Sequence, residues 1–386
     1  MDSKAPPTRL VVFSDDWGRH PSSCQHLVAR LLDRYEVLWV NTIGTRAPTL
    51  SRADIARAAA RVRQTLGSGI GQTALEPRLQ VISPWMYPGF RRWWQRRLNA
   101  QLVGRACRRH LSRSSPVARH TAVTTLPITA DLVGHVPVKH WVYYCVDDFS
   151  VWPGLDGSVM DAMERQLVAR VDVVVAVSEV LQQRIASLGR DATLITHGID
   201  LEHWQGAARV MREPPPWGRG LGRPVFLFWG VVDRRLDADW CLALADECGA
   251  LVLVGPQQDP DPRLAAHDRI HMPGPAAYGD LPALAAWSDV LVMPYADLPV
   301  TRAMQPLKLK EYLATGKPAL LRRLPATEAW SDAADVVASI DALLQCARAR
   351  VAEGTPPSQE AARGRLQEES WDVKARMFEK LLTCAL

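Results

Sequence analysis

Short apolar runs of three to five residues alternate along the chain with longer stretches in which apolar residues recur at helical spacing. Short apolar runs predict buried strands of a parallel sheet, and the helical spacing predicts the connecting helices. In the first half, the predicted strands are 10–13, 37–40, 79–82, 122–124, 141–145 and 173–177, with helices near 26–32, 93–111 and 160–170. This rhythm is typical of a doubly wound α/β domain.

The same rhythm returns after a change in composition at 205–223, where three consecutive prolines and alternating glycines predict a linker. The second series predicts strands at 225–229, 251–254, near 270, 290–294 and 319–321, with helices at 238–247 and 281–287 and about 306–316. We therefore predict two doubly wound domains that face each other across a cleft. Their boundaries are 1–204, the linker 205–223, 224–365, and a C-terminal helical segment 366–386.

The segment PLKLKEYLATGKP, residues 306–318, predicts a brief helix that begins after Pro306 and ends at Gly316. The N-terminus of such a helix favours an anion, and Lys308 adds a positive charge in the first turn. Glu311 follows one turn later and offers carboxylate oxygens to a ribose. This pattern predicts a site for a nucleoside diphosphate, and the alternative is a solvated face of a surface helix.

Two adjacent carboxylates, Asp147 and Asp148, follow the predicted strand 141–145. Ligands of open α/β sheets bind at the carboxyl ends of the strands, and neighbouring carboxylates raise each other's proton affinity. One of them is therefore a candidate general base, although helix capping is the more common role of such a pair.

The loop after the first predicted strand also lies on the ligand side. Its polar groups are suited to hydrogen bonds with an acceptor sugar, and its tryptophan is suited to stacking on the sugar ring; a plain capping loop is the alternative. The candidate acceptor-binding residues are Asp15, Asp16, Trp17 and Arg19.

The loop after strand 225–229 begins with Gly230, which lets a phosphate approach the backbone. Arg234 and Arg235 follow, and we expect one of them to pair with a diphosphate and the other to face solvent.

Several segments, taken in order, resemble the GT-B glycosyltransferases of bacterial polysaccharide assembly, which include family 1 and family 4 members and the xanthan-pathway glucuronosyltransferase. Besides 306–318, these segments are SDDWGRHPSSCQHL, YYCVDDFS, AVSEVL, THGID, FWGVVDRRLD, LVLVGP and SDVLVMPY. The resemblance implies a nucleotide-sugar donor, a carbohydrate or lipid-linked acceptor, and a C-terminal tail that packs on the first domain. It also implies a catalytic role for Asp147, diphosphate contact by His197, and a place beneath the base for Tyr278.

One position departs from this resemblance. Retaining relatives often carry a glutamate eight residues before the position of Glu311, and Ala303 stands there. An inverting mechanism is therefore favoured. We expect no cofactor and no metal, because Lys308, an arginine and helix amides suffice to neutralise the leaving diphosphate. The alternatives are a nucleotide-sugar epimerase with the same fold and a non-catalytic scaffold that binds membranes.

The composition is that of a soluble globular protein, with 386 residues, 47% hydrophobic and 23% charged. No apolar run is long enough to span a membrane, and no signal peptide is evident, so a cytoplasmic location is expected. The seven cysteines are scattered without zinc-ligand spacing.

The net charge of the whole chain is +5, but the positive charge is unevenly distributed, since residues 77–130 contain no acidic residue. Arginines are dense from Arg91 to Arg113, and aromatic residues lie among them or lead into them. This combination indicates an anionic membrane surface as a partner, which would make the protein peripheral at the inner face of the membrane. A solvated helix face is the first alternative. Nucleic acid is disfavoured because no known nucleic-acid motif accompanies the charge.

Overall fold

The computed structural model describes residues 9–18, 22–41, 77–111, 120–206 and 213–382. The chain divides into two compact units. Unit 1 comprises the chain up to Val177, Leu181–Ile195 and the residues from Ala375 onward, and unit 2 comprises Ser178–Val180 and Thr196–Lys374.

Unit 1 is built on a seven-stranded parallel sheet with the order β3-β2-β1-β4-β5-β6-β7. The strands are β1 Arg9–Ser14, β2 Glu36–Asn41, β3 Leu79–Ile82, β4 His120–Thr124, β5 His140–Cys145, β6 Val173–Ala176 and β7 Thr193–Leu194. The central strands are buried along their whole length, which explains their continuous apolar sequences. The strand order reverses between β1 and β4, and crevices at such switch points are where these sheets bind ligands.

The helices that connect these strands follow the apolar spacing of the sequence. They are α1 Ser23–Ala29, α2 Trp93–Leu111, α3 Gly157–Val168 and α4 Glu179–Ser187, with a 3-10 helix at Pro127–Leu132. Helix α1 is capped by Ser22, whose side chain accepts a hydrogen bond from the backbone N–H of Gln25, and α3 is capped in the same way by Asp156.

Unit 2 contains a six-stranded parallel sheet with the order β12-β10-β8-β13-β14-β15 and a two-stranded sheet of β9 and β11. The strands are β8 Val225–Trp229, β9 Val232–Asp233, β10 Ala250–Val254, β11 Gln257–Gln258, β12 Ile270–Gly274, β13 Val290–Met293, β14 Ala319–Arg322 and β15 Asp335–Val337. Strands β8, β10 and β13 are fully buried and form the centre of the core.

Ten helices are described from residue 196 onward, together with 3-10 helices at Pro216–Gly218, Tyr278–Asp280 and Arg363–Glu369. The helices are α5 Leu201–Gln205, α6 Ala238–Glu247, α7 Pro262–Ala265, α8 Leu281–Trp287, α9 Pro299–Ala303, α10 Leu307–Ala314, α11 Pro325–Glu328, α12 Ile340–Glu353, α13 Pro357–Ala362 and α14 Trp371–Glu379.

The two units differ from the predicted domains at several places, of which the shortest is Ser178–Val180 in unit 2. Residues 196–204, which we predict in the first domain, belong to unit 2 because Trp204 is fully buried there and stacks on Trp229 at 5.2 Å. Within the C-terminal segment, only the residues from Ala375 onward belong to unit 1. There Phe378 packs against Tyr144, with ring centroids 5.4 Å apart.

Most of the predicted elements are present, and helices 93–111, 238–247 and 281–287 have the predicted bounds. The elements that were not predicted include the edge strands β7 and β15 and the helices α4 and α12. Strand β15 has three residues of which only Val337 is buried, so its apolar signal is weak. Helix α12 carries Ile340, Leu343 and Ala347 at helical spacing, so its sequence does contain the signal of a helix.

Candidate functional site

Helix α10 begins directly after Pro306, which provides no side-chain cap for the first-turn N–H groups. Lys308 is the second residue of the helix. The helix ends at Ala314, and its C-cap residue Thr315 is followed by Gly316 in a left-handed conformation with φ of 77°. The predicted start and stop of this helix are therefore confirmed, and its N-terminal turn has the properties of an anion site.

The ammonium group of Lys308 is held over the end of strand β8. Its Nζ donates to the hydroxyl of Tyr295 at 2.5 Å and lies 4.4 Å from the ring centre of Phe228. A Cβ on Gly230 would lie only 2.3 Å from this Nζ. Gly230 therefore leaves the space that the lysine occupies, which places a positive charge at the carboxyl end of a central strand.

Glu311 lies one turn further along α10. Its Oε2 accepts a hydrogen bond from the indole Nε1 of Trp229 at 2.9 Å. Burial raises the pKa of the Glu311 carboxyl to about 7, although this hydrogen bond and the charge of Lys308 both act to lower it. A carboxyl group in this state is able to accept or donate a hydrogen bond near neutral pH.

An aromatic cluster adjoins this glutamate. Trp204 stacks on Trp229 at an interplanar angle of 6°, and its Nε1 donates to the hydroxyl of Tyr278 at 3.2 Å. The Tyr278 ring stacks on His203 at 4.5 Å. The structure thus joins the predicted Tyr278 to Glu311 through two tryptophans. His203 and Trp204 were not predicted as site residues, because they lie on a five-residue helix with no recognisable motif.

The two arginines of the loop after β8 lie in different environments. Arg235 is 9% exposed, and its Nε donates to both carboxylate oxygens of Asp233 at 3.0 Å. Arg234 is exposed and pairs with Asp259 at 2.7 Å. The exposure of Arg234 is as expected for one arginine of this pair. Both guanidinium groups are nevertheless paired with aspartates, and their contact with a diphosphate stays a prediction.

Lys310 belongs to the opposite face of α10 and is buried. Its Nζ donates to Thr196 Oγ1 at 3.2 Å, to the backbone carbonyl of His197, and to Glu369. Burial lowers the pKa of Lys310 to about 8, while Glu369 acts to raise it. The alternative of a solvated charged face is therefore wrong for Lys310. His197 is buried beside this cluster, with its ring 6.2 Å from that of Trp371.

In unit 1, Asp147 and Asp148 follow strand β5 as expected. Oδ1 of Asp148 accepts hydrogen bonds from the backbone N–H of Ser150 at 3.0 Å and from its hydroxyl at 2.5 Å. Oδ2 of Asp148 lies 3.6 Å from the guanidinium of Arg184. Asp147 is half-buried at the start of the same turn.

The first loop forms a polar group at the carboxyl end of β1. Asp15 Oδ1 accepts from Ser14 Oγ at 2.8 Å and Ser22 Oγ at 3.2 Å. The ring of Trp17 contacts that of Trp39 edge-on, with centroids 4.7 Å apart. The backbone carbonyl of Asp16 accepts from Gln25 at 3.3 Å. Arg19 lies outside the described residues.

Within the described part of the chain, no group of three or more histidine, cysteine, aspartate or glutamate side chains is arranged to hold a metal ion.

No family model matches the chain. Among curated proteins, the chain is similar to a putative teichuronic acid biosynthesis glycosyltransferase, TuaH, of Bacillus subtilis strain 168. The two are 26% identical over 181 residues, which cover 44% of this chain and 45% of that protein. The match thus spans less than half of the curated relative.

Among solved structures, the chain resembles sucrose-phosphate synthase of Thermosynechococcus elongatus, with a TM-score of 0.69, 14% identity, and coverage of 97% of this chain and 98% of that chain. Anabaena HepE in complex with UDP-glucose gives a TM-score of 0.67 and 12% identity over 97% of this chain and 99% of the other. An Escherichia coli structure described as trehalose-6-phosphate bound with UDP-2-fluoro glucose gives a TM-score of 0.65 and 12% identity, with coverage of 98% of this chain and 99% of that chain. The fold, with two Rossmann-like parallel sheets, is GT-B.

Proposed function

We propose that this protein is a glycosyltransferase that uses a nucleotide-sugar donor, whose diphosphate binds at the N-terminus of helix α10. The observation that carries the proposal is the position of Lys308 over Gly230, beside an uncapped helix start and one turn from Glu311. A positive side chain and a helix N-terminus without a side-chain cap, at the carboxyl end of a central strand, match the charge of a nucleoside diphosphate.

The remaining groups of unit 2 are suited to the nucleoside. The Glu311 carboxyl, with a pKa of about 7, is suited to hydrogen bonds with ribose hydroxyls. The ring of Tyr278, stacked on His203, supplies an aromatic surface for a base. HepE has been solved with UDP, with UDP and glucose, and with UDP-glucose, which supports a nucleoside-diphosphate sugar as the donor class.

In this proposal Asp147 accepts the proton of the acceptor hydroxyl, and the polar loop with Asp15, Asp16 and Trp17 holds a carbohydrate or lipid-linked acceptor. The partial match to a teichuronic acid glycosyltransferase supports a role in the assembly of a polysaccharide or glycoconjugate. Ala303 in place of a glutamate favours an inverting reaction.

Lys308→Ala is expected to weaken nucleoside-diphosphate binding by about 1.5 to 3 kcal/mol, or about 10-fold to 150-fold, because a hydrogen bond to a charged group is lost. Isothermal titration calorimetry with UDP, GDP and dTDP measures this loss. The exposed Lys139→Ala in unit 1 is the matched control and should leave affinity unchanged. Unchanged affinity of Lys308→Ala for all three nucleotides, or no binding by the wild-type protein, would refute the assignment.

We further propose that unit 1 contacts an anionic membrane through a tryptophan-arginine face, defined as Trp85, Trp93, Trp94, Arg92, Arg97 and Arg105. The three tryptophans are 65%, 74% and 39% exposed, which is unusual for large aromatic side chains. The arginines are exposed, and α2 contains no acidic residue. Such a face matches the interfacial zone of an anionic bilayer.

Not every arginine of the basic segment predicted from the sequence is available to bind an anionic surface. Arg96 donates two hydrogen bonds of 2.7 Å to Asp131, and Arg91 pairs with Asp156. These two cations are already neutralised by aspartates. Arg113, at the end of the predicted segment, lies outside the described residues. No helix of the described residues is long and apolar enough to cross a membrane.

Replacing Arg92, Arg97 and Arg105 together by Gln is expected to reduce binding to phosphatidylglycerol-containing vesicles about 100-fold, since each basic side chain near such a surface contributes roughly 1 kcal/mol. Cosedimentation with vesicles of phosphatidylglycerol and phosphatidylcholine measures this. The control replaces the exposed arginines Arg219, Arg323 and Arg348 of unit 2. If vesicle binding changes neither with the replacement of Arg92, Arg97 and Arg105 nor with salt concentration, the membrane proposal is wrong.

A further inference from the structure

A buried chain of polar side chains leads from helix α3 to the turn that carries Asp147 and Asp148. Glu164 of α3 is only 2% exposed. Its Oε1 accepts from the hydroxyl of Tyr143 on β5 at 2.7 Å, and its Oε2 accepts from Arg184 Nε at 2.8 Å. A carboxylate buried this deeply requires such partners, so Glu164 and Arg184 hold each other in place.

Arg184 connects this pair to the turn. Its guanidinium lies 2.8 Å from Asp161 Oδ1 and 3.6 Å from Asp148 Oδ2, in addition to its contact with Glu164. Burial alone would lower the pKa of Arg184, but the Glu164 and Asp148 carboxylates raise it above its ordinary value. Arg184 therefore keeps its charge throughout the working pH range and provides a permanent anchor for Asp148.

Asp148 uses its other oxygen to close the turn, by accepting from both the N–H and the hydroxyl of Ser150. The turn is also packed against the start of α3. A Cβ on Gly157 would lie 2.1 Å from the backbone carbonyl of Ser150, so the two backbones are in close contact. The carboxylate of Asp148 is thus committed to fixing the backbone just after Asp147.

We infer that Asp148 and Arg184 are positioning residues that hold the turn of Asp147, and that Asp147 is the general base. This inference rests on the proposed transferase function. In the step concerned, the acceptor oxygen forms a bond to the anomeric carbon of the donor and its proton passes to Asp147. The bond between that carbon and the diphosphate oxygen breaks, and the nucleoside diphosphate leaves with the electron pair. A base that is misplaced by about 1 Å slows such a step strongly.

The test compares turnover with donor binding. Hydrolysis of UDP-, GDP- or dTDP-glucose, with water as acceptor, is followed by release of the nucleoside diphosphate, and kcat, KM and the pH profile are recorded for the fastest donor. Asp148→Asn and Ser150→Ala are the main variants, because both leave the buried Glu164–Arg184 pair intact. We expect kcat to fall about 10-fold to 100-fold with KM within about twofold of the wild type.

Arg184→Gln leaves Glu164 buried without its cation, so this variant is made together with Glu164→Gln. The triple variant that also carries Asp148→Asn should be no slower than the Glu164→Gln/Arg184→Gln double variant, since residues of one network are not additive. Arg165→Gln is the matched control. Arg165 also pairs with Asp161, at 2.8 Å, but is exposed, and its replacement should leave kcat and the pH profile unchanged.

The outcomes are distinguishable. Wild-type kcat and pH profile in Asp148→Asn and Ser150→Ala would show that the network serves stability alone and would overturn the inference. A second result would also overturn the inference. In it, kcat falls as much in Asp148→Asn as in Asp147→Asn, while Ser150→Ala and the Glu164→Gln/Arg184→Gln variant keep the wild-type kcat. Asp148 would then be the base. Failure of the wild-type protein to bind or hydrolyse any of the three donors would instead refute the proposed function, and the inference with it.

Discussion

Asp147→Asn is expected to lower kcat by about 10²-fold to 10⁴-fold, with little change in the affinity for the donor nucleotide. Asparagine has the same size and still forms hydrogen bonds, but it cannot accept a proton from the acceptor hydroxyl. Turnover of the nucleotide sugar measures the effect on chemistry. Calorimetry with the free nucleoside diphosphate measures binding in unit 2, where the proposed diphosphate site at Lys308 lies.

Asp148→Asn is the natural comparison, because it makes the same chemical change at the next residue. We expect kcat to fall less in Asp148→Asn than in Asp147→Asn, since Asp148 already accepts a hydrogen bond from Ser150 and faces Arg184. Small and equal losses in the two variants would exclude a general base in this turn.

Gly255→Ala is expected to destabilise unit 2 by about 2 to 6 kcal/mol, which combines overpacking with backbone strain. Gly255 has φ of 154°, and a Cβ there would lie 1.7 Å from the backbone carbonyl of Gly230. Neither backbone is able to move far, because Gly230 N–H donates to Val254 and Gly255 N–H donates to Gly274. Urea unfolding followed by circular dichroism and tryptophan fluorescence measures the free energy of unfolding.

Gly222→Ala provides the control for this variant, because a Cβ at Gly222 has no atom within 4 Å. Its free energy of unfolding should stay within about 0.5 kcal/mol of the wild type. If Gly255→Ala is as stable as Gly222→Ala, then the close approach of strands β8 and β10 at their carboxyl ends does not require glycine.

The K-x-K pair of helix α10 illustrates how one motif separates into two roles. Lys308 lies at the helix start with its ammonium against Tyr295 and Phe228. Lys310, two residues on, is buried and bound by Glu369, whose pKa the two lysines Lys310 and Lys374 lower although burial alone would raise it. Of these two lysines, therefore, Lys308 is the candidate ligand for an anion, and Lys310 is part of the packed interior.

Local sequence was sufficient for the central strands of the two parallel sheets, for about half of the described helices and for the position of α10. Strands such as β8 are buried on both faces and therefore read as unbroken apolar runs, and helix ends such as Pro306 and Gly316 depend on backbone geometry that those residues prefer. The candidate residues at the ends of β5 and β8 followed from the same logic, because strand ends are visible in the sequence.

Contacts between residues distant in sequence could not be derived in this way. Glu164 and Arg184 lie 16 to 37 residues from Asp147 and Asp148 along the chain and meet the turn only because α3, α4 and β5 pack together. Likewise, Trp204 joins Trp229 and Tyr278, and Asp131 neutralises Arg96, through packing alone. Local propensities depend on neighbouring residues and fix the elements, whereas burial and pairing of charges depend on which elements touch, and that is decided by the tertiary structure.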